Sequence, residues 1–516
     1  MLRSLYIGGR SAAVQFEDGG LYHTKKPYRL TLNGECAGEM NTVVRSLYGL
    51  WPDTRYTLCV WDADTLLAEL TFTTQKESFT LDVRRFGAVG DGEHDDTAAI
   101  QAAIACCPAK GRVRIPAGCY RVKPLFLKSH ICLEIEKGAV LQQERDRSLF
   151  PILPGMTLST DETHDLNLGT WEGNPLDMFG ALLTGVDVED VLICGEGVAD
   201  GMAQESDWWQ KPRGRFGAYR GRLLFLCRCS DITVQGVTFR NSPAWNLHPY
   251  FSKSLRFINI RVEAPANSPN TDGFDPESCR DILVAGAHFS LGDDCIAIKA
   301  GKLYMGSTYK TPCENIDIAH CLMENGHGGV TIGSEMAGGV RDVRVRDCLM
   351  RNTDRGLRIK TRRGRGEDGV IDGIVFDRVR MEKVGTPFVV NCLYFCDPDG
   401  HTAYVQTQEA LPVDERTPRV GGIVFRHVDA DGVACAGYFL GLPERPIEQV
   451  TMEHVRIRCD ADAKPMQPAM SDCVPKCVRM GIVASDVARM TLHDVQISGC
   501  SGEEIACTRV GALDRT

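Results

Sequence analysis

A three-residue pattern, apolar–x–apolar, recurs through this chain and constrains its fold more than any other feature. It occurs as Ile232-Thr-Val, Leu255-Arg-Phe, Ile282-Leu-Val, Ile316-Asp-Ile, Val343-Arg-Val, Ile374-Val-Phe, Ile423-Val-Phe and Val450-Thr-Met. Most successive starts lie roughly 23 to 34 residues apart, the range of solenoid repeats. The longer step from 374 to 423 marks an insertion. Alternation within each triplet turns two side chains inward and one outward. No helical stripe intervenes, which argues against leucine-rich and ankyrin solenoids. The pattern predicts an all-β chain wound into a parallel β-helix, with coils about 4.8 Å apart. Such a stack accommodates 516 residues, too many for one ordinary core.

Composition narrows the function. The net charge of −10 argues against nucleic acid or an anionic membrane as partner, so an anionic substrate needs a local basic site. Met1-Leu-Arg-Ser-Leu-Tyr-Ile-Gly-Gly-Arg lacks the apolar run of a signal peptide, and no segment reaches membrane-spanning length. The 22 cysteines are scattered. Cys392/Cys396 and Cys473/Cys477 have no His or second Cys pair at a zinc-like interval, so they are expected to be packed, reduced thiols. The expectation is a cytoplasmic protein with no metal and no cofactor.

Two domains are expected, over 1–78 and 79–516. In the first, short alternating runs separated by turns predict a small β-sandwich. Its Leu50-Trp-Pro-Asp-Thr-Arg-Tyr-Thr-Leu resembles the Leu-x-Pro-x-Thr-x-Tyr corner of fibronectin type III domains. The second opens with Phe86-Gly-Ala-Val-Gly-Asp-Gly and a helix started by Asp or Thr near 95–97. This opening resembles the N-terminal cap of pectin-degrading right-handed β-helices. A cap covers the exposed core end of the first coil. Stretches 145–185 and 397–418 are too polar and turn-rich for coils and are expected to wall a groove.

Four segments share one shape: Asn-Thr-Asp-Gly-Phe-Asp at 270–275, Gly-Asp-Asp-Cys-Ile-Ala-Ile-Lys at 292–299, Gly-His-Gly-Gly-Val-Thr-Ile-Gly at 326–333 and Arg-Gly-Leu-Arg-Ile-Lys-Thr at 355–361. Aligned on Gly273, Cys295, Gly329 and Gly356, they put Asp272 in one column with Asp294 and Asp293 in another with His327. Neighbouring carboxylates raise one another's pKa, so one stays protonated as a general acid while others polarise water. This is equipment for splitting a glycosidic bond by direct water attack, with acid and base expected roughly 6.5–9.5 Å apart. The columns assign Asp293 as acid, Asp272 and Asp294 to the water, and His327 to tune Asp293 or hydrogen-bond to it. Asp293 and Asp294 need a bend or bulge to share a groove, and Gly292 is its expected place. Arg358 and Lys360 suit a sugar carboxylate. Arg362, Arg363 and Arg365 read as a solvated loop.

The motifs Asn-Thr-Asp, Gly-Asp-Asp, Gly-His-Gly and Arg-Ile-Lys, in this order, resemble glycoside hydrolase family 28, the polygalacturonases. With the cap and Asn241-Ser-Pro-Ala-Trp-Asn-Leu-His, the likeness covers residues 80–500. It implies inverting hydrolysis of α-1,4-galacturonan, with Asp293 as acid, Asp272 and Asp294 activating water, and Arg358 and Lys360 binding the uronate. Asn270 belongs to the same motif set and is expected at the substrate, and Tyr394 matches a family tyrosine one coil later. His248 and Glu172 are expected as further substrate contacts. A leading fibronectin-like module resembles bacterial exo-acting members, in which added walls close one end of the groove; the expected partner is a galacturonate-containing pectic oligosaccharide. Competing expectations are a rhamnogalacturonan or xylogalacturonan hydrolase, a calcium-dependent pectate lyase on the same scaffold, and a non-catalytic binding β-helix.

Overall fold

The computed structural model describes residues 1–156, 167–212 and 214–516. The N-terminal unit has seven strands: β1 (Leu2–Ile7), β2 (Ala12–Phe16), β3 (His23–Leu32), β4 (Glu35–Thr42), β5 (Val44–Leu47), β6 (Arg55–Asp62) and β7 (Thr65–Thr73). They form two antiparallel sheets ordered β1-β2-β5 and β4-β3-β6-β7. The inward residues of each alternating strand, among them Val14, Leu30, Leu58 and Val60, make a core separate from that of the following domain. Tyr56, at the start of β6, takes a hydrogen bond on its hydroxyl from Trp51 N at 2.8 Å and fixes the corner.

Among the described residues from Thr80 onward, one 31-stranded sheet winds as a right-handed parallel β-helix. All eight triplets fall in a single column: Ile232 pairs with Leu255, then Ile282, Ile316, Val343, Ile374, Ile423 and Val450. Each inward side chain stacks on its counterparts in adjacent coils, so truncating one to Ala costs on the order of 2–5 kcal/mol. Coils begin earlier than the triplets suggest. Arg112–Arg114 pairs with Thr80–Asp82, and Gly111–Ile115 with Ile131–Ile135. Helix α1 (Thr97–Cys106) covers the first coil with Ile100, Ala103 and Ile104. Asp96 occupies its N-cap position without capping it; the carboxylate instead takes Val89 N and Gly90 N of the glycine-rich turn.

Two further columns complete each coil. The third runs through Leu224–Cys227, Leu247–Tyr250, Ile296–Ile298, Val330–Ile332, Arg355–Lys360, Thr386–Asn391 and Cys435–Leu440. Part of the 145–185 wall, residues 157–166, lies outside the described residues. No helix among the described residues is long and apolar enough to cross a membrane.

Candidate active site

The four charged segments occupy the turns that lead into the third column. Phe274 pairs with Ile296, Ile296 with Val330 and Val330 with Leu357, so Gly273, Cys295, Gly329 and Gly356 are equivalent positions of four successive coils. Asp272 and Asp294 therefore share one column, and Asp293 shares the next with His327 and, one coil on, Asp354. Asp293 and Asp294 lie between strands His288–Leu291 and Ile296–Ile298, where the chain bends rather than bulges. Freed from strand alternation, both carboxylates reach the same site. Gly292 permits the bend, because a Cβ there would stand 2.4 Å from the Ser268 carbonyl oxygen.

Gly328 leaves room for the Asp294 carboxylate. A Cβ at 328 would lie 2.8 Å from Asp294 Oδ1 and 2.3 Å from Thr331 Oγ1. Gly328→Ala is expected to displace Asp294 and lower kcat on the order of 10²-fold, the cost of an ångström-scale misplacement. Steady-state kinetics beside a melting curve checks this, and an unchanged kcat in a folded variant sinks it.

One oxygen from each of Asp272, Asp293 and Asp294 lies within 4.8 Å of the others, closer than the spacing expected from the sequence. Their environments differ. Asp294 Oδ1 accepts from Arg358 Nη1 at 3.2 Å and Oδ2 from Lys360 Nζ at 3.0 Å. Leu357 and Ile359 turn into the core, which leaves Arg358 and Lys360 on the outer face. Burial pushes the Asp294 pKa up, but Lys360 and Arg358 outweigh it and hold the group well below the usual carboxylate range. Asp272 moves the other way: burial, then the charge of Asp293, raises it well above that range. Among the described residues its Oδ1 has no protein partner, which leaves an acceptor for a bound water. Asp293, raised by burial and by Asp294, keeps part of its surface open. Two carboxylates with raised proton affinity beside one fixed anion titrate as a pair and share a proton to higher pH than an ordinary carboxylate would.

His327 departs from one expectation. Its Nδ1 pairs with Asp354 Oδ2 at 2.8 Å, not with Asp293. That bond, against burial, raises the imidazole pKa and favours the protonated ring, whose charge lowers the proton affinity of Asp293. Asn270 is also engaged: its Oδ1 accepts from Arg220 Nη2 at 2.6 Å. Tyr394 reaches the site, with its ring 5.7 Å from Lys360 Nζ and 6.0 Å from the Arg358 guanidinium. Glu172 lies beyond Lys302 Nζ at 3.9 Å, its side chain about half exposed.

His248 is not available to substrate, contrary to expectation. It is fully buried, with Arg222 Nε at 3.4 Å from Nδ1 and Glu277 Oε2 at 3.1 Å from Nε2. Burial and then Arg222 hold it neutral. The basic run after Lys360 is likewise no solvated loop. Arg362 binds Asp399 and the Cys396 carbonyl, Arg363 the Glu444 carboxylate, and Arg365 the Ser334 carbonyl and Asp397. All three are buried and fasten the 397–418 insertion to the helix.

Beneath the groove runs a charged layer that sequence reading missed. Asp275, Glu277 and Lys299 are buried on the outer face of the third column. Burial raises Asp275 to about 7 and Glu277 to about 8. Lys299 pairs with Asp275 at 3.4 Å and Glu335 at 3.5 Å and lies over Trp245. The signal was available: Phe274, Ile296 and Ile298 face the core, so alternation turns Asp275 and Lys299 outward.

Comparisons with known proteins agree with this geometry. Residues 132–472 match the model of Glycosyl hydrolases family 28, and residues 80–133 match that of Rhamnogalacturonase A/epimerase, pectate lyase-like. A protein of Vitis vinifera described as "Probable polygalacturonase" is 31% identical over 73% of this chain and 74% of its own length. An "Endo-polygalacturonase" of Pectobacterium parmentieri is 29% identical over 71% and 85%. The "Exo-poly-alpha-D-galacturonosidase" of Dickeya chrysanthemi is 26% identical over 65% and 60%. The family 28 exopolygalacturonase of Yersinia enterocolitica shares the fold along 99% of both chains, with a TM-score of 0.69 at 18% identity.

Proposed function

The chain belongs to Glycosyl hydrolases family 28, and from that premise we propose that it hydrolyses α-1,4-galacturonosidic bonds of pectic fragments, acting from a chain end. One observation carries the reading: three carboxylates converge within 4.8 Å, and one of them is pinned as an anion by Arg358 and Lys360. Asp293, the most exposed of the three, gives its proton to the glycosidic oxygen as the bond to C1 breaks. Water held by Asp272 and Asp294 attacks C1 from the other face and yields its proton to Asp272, the better acceptor. Asp294, with both oxygens ion-paired, is a poor nucleophile, which supports direct water attack with inversion despite the short separation. Arg358, Lys360 and Tyr394 flank the uronate carboxylate.

A calcium-dependent lyase fits less well, because Arg358 and Lys360 already occupy Asp294, one member of the acidic cluster. The exo assignment rests on the walls, since relatives of both kinds exist. The N-terminal unit reads as fibronectin type III-like, supported by its three-plus-four strand order and the Tyr56 corner. All 22 cysteines are free thiols, which supports a reducing, cytoplasmic setting.

Incubation with tri-galacturonate tests the reaction. Proton NMR of the first product is expected to show saturated galacturonate of inverted anomeric configuration. A retained configuration removes the water-attack reading, an unsaturated product replaces it with a lyase, and turnover of rhamnogalacturonan alone moves the linkage.

A further inference from the structure

Two straps cross the outer face of the third column, one on each side of the carboxylates. On the Arg358 side the strap is 467–472. Arg355 donates to the Gln467 carbonyl at 2.7 Å and the Pro468 carbonyl at 3.1 Å, and Arg358 Nη2 reaches Met470 Sδ at 3.0 Å. Asn391 Nδ2 and Phe395 N both donate to the Met470 carbonyl, at 3.0 and 3.1 Å. Asn391 follows Lys360 in register, so the sheet is covered one coil past the cationic pair. Val389 and Asn391 there are 2% and 1% exposed.

This strap is fastened to the 397–418 insertion. Gln406 Oε1 accepts from Ser471 Oγ at 2.9 Å and Asp472 N at 3.0 Å. Its Nε2 donates to the Leu393 and Gly400 carbonyls at 2.9 and 2.8 Å. The other strap is the turn paired between Trp171 and Asn174: it starts on the Asp272 side, over Trp245, and runs along the sheet to the Asp294 coil, where Lys302 N donates to the Gly173 carbonyl at 2.9 Å. Trp171 stacks on Tyr219 and Trp245, Trp245 packs on His248, and Asn167 Nδ2 donates to the Tyr250 hydroxyl at 2.6 Å, so that His248 and Tyr250 are buried. The three carboxylates and the Arg358–Lys360 pair lie in the space that the two straps leave.

We propose that this site takes free di- and trisaccharides of uronic acids, with both ends enclosed, rather than the end of a polymer. The inference rests on the hydrolase reading above and goes beyond it: an exo-acting site open on one side still accepts a long chain. A pocket closed on both sides requires a ligand that ends within it. The net charge of −10 adds long-range repulsion that grows with each uronate outside the pocket.

The test is kcat/KM per chain for di-, tri-, tetra- and hexagalacturonate and for polygalacturonate. The dimer or trimer is expected to be best, with a fall of about tenfold by the hexamer and slower turnover of polymer. Equal rates per chain for hexamer and trimer overturn the proposal and leave the hydrolase reading standing. Failure of every length overturns both. Gln406→Ala, which releases the strap without touching the reacting groups, is expected to raise hexamer kcat/KM about tenfold relative to trimer. Should that variant not fold, the wild-type length series decides alone.

Discussion

Replacing Asp293 with Asn is expected to lower kcat on tri-galacturonate by about 10²–10⁴-fold, the range of a lost general acid. Asn keeps the shape of the side chain and cannot supply the proton. The fold should not suffer. Asp293 and Asp294 repel each other, and the charge of Asp293 raises the pKa of Asp272, so its removal leaves Tm unchanged or higher. The pH profile gives a second readout. Turnover needs one proton on the Asp272–Asp293 pair: it falls at high pH as the pair loses that proton, and at low pH as the pair takes a second. Both groups are raised, so the active window sits above the ordinary carboxylate range. Asp294 stays ionised across it. An Asn variant that keeps more than about a tenth of wild-type kcat removes Asp293 from the acid role.

Arg358→Ala strikes at two functions together. The guanidinium is buried and neutralises Asp294, and breaking a buried ion pair costs on the order of 3–5 kcal/mol. Lys360 remains on the other oxygen and softens the loss, so the lower end is expected: kcat/KM falls about 100-fold and Tm drops. Arg358→Lys should restore the Tm better than the rate, because an ammonium supplies charge without the planar fork. Methyl-esterified oligosaccharide separates the roles. If Arg358 holds the uronate, the variant's loss in KM is much smaller on ester than on free acid. An equal loss on both substrates assigns Arg358 to Asp294 alone.

The sequence carried the fold and the reacting groups further than it carried the walls. Triplets such as Ile282-Leu-Val repeat because every coil buries the same two positions, so the first column was readable residue by residue. The columns Asp272–Asp294 and Asp293–His327 followed from aligning on small residues, since only Gly or Cys fits where the chain turns tightly inward. What failed depended on contacts between distant segments. Arg362, Arg363 and Arg365 look solvated until Asp399, Glu444 and Asp397 arrive from an insertion and from a later coil. His248 looks like a groove residue until Arg222 and Glu277 close around it. Asp354 gave no local signal, because its partner His327 lies 27 residues earlier and meets it only through coil stacking.

The N-terminal unit touches the β-helix on a particular set of coils. Ser11 binds Gln235, Ser46 N binds Asn259, Ala13 and Val44 pack on Ile258 and Ala285, and Gln15 and the Leu21 carbonyl hold His320. Those four positions belong to consecutive coils, the last three of which carry Asp272, then Asp293 with Asp294, then His327. A solenoid is held only by nearest-neighbour interfaces, so each can breathe on its own. A rigid body fixed to four of them at once works as a splint. Separating any two of these coils then means peeling the splint as well, and the distances between carboxylates supplied by different turns of the chain are governed by one cooperative unit.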